Sequence, residues 1–93
     1  MRAPDPDLAI HNIVNCALPR PVPVEALVDA LRRGEPGEVP GFALEILFSE
    51  VPAEMLDRFA AAHAIPLAGI KRLYERLKRE RGFGNDDLDS WLD

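Results

Sequence analysis

Ninety-three residues, 47% apolar and 29% charged with a net charge of −5, describe about one folded domain with a thin core. That composition excludes collagen-like, disordered and low-complexity chains. One cysteine, Cys16, and two histidines, His11 and His63, exclude an internal disulfide framework and the usual four-ligand zinc site, so no metal or cofactor is expected.

Helix punctuation recurs along the chain. Asp5-Pro6-Asp7 reads as an N-cap, a proline at the first helical position and an acid in the first turn. Ile10, Ile13, Val14 and Ala17 follow as one buried stripe, and Pro19 stops it. Cys16, beside that stripe, is expected to be a small buried hydrophobe, and His11 to face solvent. Pro19-Arg20-Pro21-Val22-Pro23 is an extended connector. Pro23 then opens a second helix with Val24, Leu27, Val28 and Leu31 on one face and Gly34 as its left-handed cap. Residues 34–41 form a loop with three glycines and two prolines.

Phe42, Ala43, Leu44, Ile46, Leu47 and Phe48 form an almost continuous apolar run that suits a buried strand or a buried helix. No second strand exists to pair with it, so a helix is expected. Pro52 opens the next helix, with Met55, Leu56, Phe59 and Ala60 inward. Ile65-Pro66 forces a break. A longer helix runs from about Leu67 to Arg81 on the stripe Ile70, Leu73, Tyr74, Leu77, and Gly82 ends it. Gly84 loosens the chain. Asn85-Asp86-Asp87 can cap a last turn carrying Leu88, Trp91 and Leu92. The expected fold is therefore all-α, a compact bundle of five to six short helices. Residues 1–84 would form the domain, and 85–93 an acidic C-terminal helix or a docking tail.

Charge is laid out in blocks. Residues 1–54 carry a net −5, residues 55–83 a net +4 and residues 84–93 a net −4. Only the middle block can face phosphates. The same layout suits head-to-tail association of like subunits, positive face to negative face.

The stretch Phe59-Ala60-Ala61-Ala62-His63-Ala64-Ile65-Pro66-Leu67-Ala68-Gly69-Ile70-Lys71-Arg72-Leu73-Tyr74 resembles the helix-turn-helix superfamily. More narrowly, it is similar to the DNA-reading helices of bacterial sigma factors. The resemblance implies that the helix after Pro66 enters the major groove of DNA, with Lys71 and Arg72 near its start. It departs from the usual pattern at the turn, where Ala64 stands for glycine, and at His63, where a large apolar residue is usual. Arg and Lys read guanine, so Lys71 and Arg72 are the candidate base readers. Arg76 and Arg79 fall on the side of Arg72 and suit phosphates, and Arg58 on the preceding helix can add a contact. A dimer is expected, because one short helix reads few bases. The same charges also pair within the helix, at Lys71–Glu75, Arg72–Glu75, Glu75–Arg79 and Arg76–Glu80, as a solvated face would.

His63, at a helix end, reads as a capping or partly buried histidine. A glycine-rich phosphate loop would need Lys-Ser/Thr after Gly34-x-x-Gly37, which is absent. No nucleophile–base spacing stands out, so neither an enzyme nor a small-molecule substrate is expected. No apolar run reaches the roughly 18 residues of a membrane span. The start Met1-Arg2-Ala3-Pro4-Asp5 lacks the apolar stretch of a signal peptide, so a cytoplasmic protein is expected.

In the tail, Leu88, Trp91 and Leu92 share one face and form a candidate docking peptide for a partner's groove. An acidic tail folded over the basic helix would also compete with nucleic acid. Two functions come out of this reading. One is a small DNA-binding regulator. The other is a protein-interaction adaptor that resembles death-fold domains in helix count and charge layout alone, homotypic or effector-recruiting.

Overall fold

The computed structural model describes residues 5–82 and 85–92. It holds six helices and no strand among the described residues: α1 (Pro6–Asn15), α2 (Val24–Arg33), α3 (Gly41–Glu50), α4 (Ala53–Ala62), α5 (Leu67–Arg81) and α6 (Asp86–Leu92). The apolar run from Phe42 is helix α3. Gly84, expected to loosen the chain, and the final Asp93 lie outside the described residues.

Local chemistry accounts for most boundaries. Asp5 caps α1 by accepting the Asp7 N–H at 3.0 Å. Four helices start one residue after a proline: Pro23, Pro40, Pro52 and Pro66 each occupy the N-cap with φ between −59° and −70°. That φ is what the pyrrolidine ring imposes, and the carbonyl of each proline still accepts the first helical hydrogen bond. Gly34 and Gly82 end α2 and α5 at φ +70°, their N–H groups donating to Ala30 at 2.9 Å and Lys78 at 2.8 Å.

α1 packs on α3 and α4, while α5 packs on α2 and α3. Their shared core includes Ile10, Leu27, Leu31, Leu44, Leu47, Phe48, Leu56, Phe59, Ile70 and Leu73, all with no solvent exposure. Each such side chain stabilises the fold by about 1.5–3 kcal/mol relative to exposure. Gly69, buried in α5, sets a close contact between α5 and the end of α2. A Cβ there would lie 3.0 Å from the Arg32 carbonyl oxygen and closer still to that of Leu31. α2 and α5 can touch backbone to backbone only because that atom is missing.

α6 belongs to this same core. Leu88 and Leu92 are buried in it, and Trp91 is half-buried. The Tyr74 hydroxyl lies 3.0 Å from Asp89 Oδ1 and accepts the Asn85 N–H at 3.1 Å. The Asn85 side-chain amide donates to the Phe48 carbonyl at 2.9 Å.

Four local expectations need correction. Ala17, expected on the buried stripe, lies past the end of α1 and is exposed. Cys16 is exposed, because α1 ends at Asn15 and the cysteine lies beyond the buried face. His11 is half-buried rather than solvated, its Nδ1 lying 3.2 Å from the Asn15 amide nitrogen. Phe42, at the start of the apolar run, is 51% exposed. The proline connector is held both by the burial of Val22 in the core and by a side chain. Asn15 accepts the Val22 N–H at 2.6 Å and donates to the Val22 carbonyl at 3.1 Å.

Candidate interaction groove on the fifth helix

The turn that delivers α5 is tightly built. His63 closes α4, and Ala64 follows at φ +52°. The Ile65 N–H then donates to the Ala60 carbonyl at 2.9 Å, the bond pattern of a helix that ends on a left-handed residue. An alanine held there costs about 1–2 kcal/mol relative to its favoured backbone. The turn is braced from outside. His63 Nε2 sits 2.8 and 2.9 Å from the two Asp7 carboxylate oxygens. Its ring packs 4.8 Å from the Phe59 ring, and its carbonyl accepts a hydrogen bond from the Arg32 guanidinium. His63 is thus a partly buried helix cap, as its place in the sequence suggested.

α5 buries Gly69, Ile70, Leu73, Tyr74 and Leu77 and presents the opposite flank to solvent. The helix's cations divide into two sets. Lys78 and Arg81 serve the fold: Lys78 donates to Asp89 at 2.7 Å and lies 5.1 Å from the Tyr74 ring centroid, and Arg81 reaches Glu45 on α3 at 2.9 Å. The Lys78 hydrogen bond holds the Asp89 carboxyl below its ordinary value, while burial is the main cause that raises the Tyr74 hydroxyl above its own. Lys71, Arg72, Arg76 and Arg79 instead line one open groove with Ala68, Glu75 and Glu80, floored at one end by Gly34. All four are exposed.

Gly34 shapes that groove. A Cβ there would sit 3.0 Å from Arg72 Cδ, so the arginine's stem lies along the end of α2. Of the expected helical ion pairs, Arg76–Glu80 forms at 3.2 Å. Among the described residues Lys71, Arg72 and Arg79 make no ion pair within 4.0 Å. Arg58 does not join the groove; it pairs with Glu54 on its own helix at 3.2 Å. The acid of α6 that meets α5 is Asp89, which reaches Lys78 and Tyr74 and none of the four groove cations. Leu88 and Leu92 face the core, so in this state only Trp91 of the expected docking face keeps some exposure.

Two further surfaces take shape only in the fold, the second of them within the acidic block of residues 1–54. An apolar patch gathers Ile13, Ala17, Phe42 and Ile46 beside Cys16, where α1 meets α3. An acidic trough runs along α2 and the following loop, with Glu25, Asp29, Glu35 and Glu38 around a floor of Ala26, Ala30 and Val39. No cluster among the described residues has three side chains able to hold a metal ion, and no described helix is long and apolar enough to cross a membrane.

No protein-family model matches this chain, and no curated protein or solved structure matches it either.

Proposed function

We propose that this chain is a protein-interaction module that uses the α5 groove to hold an acidic protein surface. The observation that carries this reading is the mixed charge of the groove. Four exposed cations stand beside two carboxylates, Glu75 and Glu80, and Arg76 is already engaged by one of them. A phosphate backbone offers only negative charge, so carboxylates in the contact surface oppose it. A protein surface can answer both signs. The net charge of −5 adds long-range repulsion from nucleic acid, and DNA binders usually carry a basic footprint.

DNA binding stands as the second reading, and one feature favours it. Ala64 adopts the left-handed turn that a helix-turn-helix needs, and Leu67, Ala68, Lys71 and Arg72 are exposed just after it. Arg76 and Arg79 would then meet phosphates.

Anisotropy titrations with a labelled acidic amphipathic peptide and, separately, a labelled DNA duplex separate the two. The peptide should bind the wild type and lose binding in the Arg72→Gln, Arg76→Gln, Arg79→Gln triple variant. A duplex that binds instead, with a log–log salt slope of about 0.9 per phosphate contacted, overturns the protein-partner reading.

A further inference from the structure

We infer that the acidic surface held by the α5 groove is the α2 trough of a second copy of this chain. This rests on the reading of the groove as a protein-binding surface and identifies the partner.

The two surfaces match in sign and in shape. The trough presents Glu25, Asp29, Glu35 and Glu38, all exposed, against one cation, Arg33, which is itself paired with Asp29 at 3.2 Å. Its floor of Ala26, Ala30 and Val39 is short and apolar, so the methylenes of long side chains can lie on it while their guanidinium groups reach the carboxylate rim. The α5 groove supplies such side chains in Arg72, Arg76 and Arg79. Its own carboxylates, Glu75 and Glu80, give Arg33 a counterpart. Oppositely charged faces of this kind steer and orient association.

One molecule cannot satisfy itself. Gly34 lines the cationic groove, while its chain neighbours Arg33 and Glu35 line the acidic trough. Both surfaces therefore flank the end of α2, fixed side by side by the α2–α5 contact at Gly69. The pairing must come from another copy. The two faces are different, so the contact is head-to-tail: each added molecule buries one face and offers the other.

Sedimentation velocity over a concentration series at low salt tests this with neutralised variants, all at exposed positions. One carries Arg72→Gln, Arg76→Gln and Arg79→Gln; the other carries Glu25→Gln, Glu35→Gln and Glu38→Gln. The wild type should grow in mean mass with concentration and shrink with added salt. Each variant alone should associate at least about tenfold more weakly, as expected for losing several exposed ion pairs. An equimolar mixture of the two should form a dimer and stop there, because one intact groove and one intact trough remain. A wild type that stays monomeric throughout, or a variant that associates like the wild type, overturns the inference. If a monomeric wild type still binds the acidic peptide through the three arginines, the protein-partner reading survives without this partner; if it binds neither, both fall.

Discussion

Replacing Gly69 by alanine tests the central packing claim, because two effects of known size oppose each other there. In an exposed helix the change would stabilise by about 1 kcal/mol through propensity. Here the new methyl would meet the Leu31 and Arg32 carbonyl oxygens, the second at 3.0 Å. Backbone cannot swing aside as a side chain can, so α2 and α5 must move apart. Separation would loosen Leu27, Leu31, Ile70 and Leu73, which are fully buried. Overpacking of this kind costs about 1–3 kcal/mol and sometimes more. With two backbone oxygens in the way we place the cost at the upper end, leaving a net loss of about 1–3 kcal/mol after the propensity gain. For a domain of this size that is a fall in Tm of roughly 5–20 °C. Thermal and urea denaturation followed by circular dichroism measure it. A Gly69→Ala protein as stable as the wild type, or more stable, would refute the backbone-to-backbone contact. The placement of Arg72 over Gly34 would lose its support with it.

Ala64→Gly should raise stability by about 0.5–1 kcal/mol, since glycine relieves the left-handed strain at φ +52° and returns only part of that gain as unfolded-state entropy; a lower urea midpoint would contradict the turn geometry. Asn15→Ala should cost about 1–3 kcal/mol, because it leaves both backbone groups of the buried Val22 without their side-chain partner. An unchanged midpoint at constant m would show that water replaces the clasp at no cost. The Asp89 carboxyl is held below its ordinary value in the folded chain, so its contribution is present above about pH 4 and disappears as pH falls through the lower folded value. Asp89→Asn should therefore melt below the wild type at pH 7, with the gap closing in acid; a gap that persists at the lowest pH assigns it to something other than this charge. The Tyr74 hydroxyl is raised, so its share is complete below about pH 10 and is lost as pH climbs through the folded value. Alkaline melting of Tyr74→Phe should accordingly be flatter than that of the wild type.

The element boundaries were legible because proline and glycine write them locally. Pro23, Pro40, Pro52 and Pro66 stand at N-caps and Gly34 and Gly82 at left-handed caps, and each acts through its own φ. The helical identity of residues 41–50 followed only from the lack of a partner strand, because an apolar run has no readable period. What stayed hidden depends on distant pairs. His63 and Asp7 are 56 positions apart, and nothing in either segment announces the other. Gly69 reads as a weak helix residue until α2 lies against it. The division of α5's cations was equally invisible: Lys78 and Arg79 are adjacent, yet one is spent on Asp89 and the other faces the groove. Cys16 misled because the stripe before it continues in sequence after the helix has stopped.

The chain's one tryptophan gives the protein a built-in optical probe. Trp91 rests half-covered beside Ala60, Ile65, Leu67 and Ile70, at the junction where α4 hands over to α5. Its emission should respond whenever that junction opens, tightens or is covered. Events at the start of α5 can therefore be followed in unlabelled protein, with no background from a second indole.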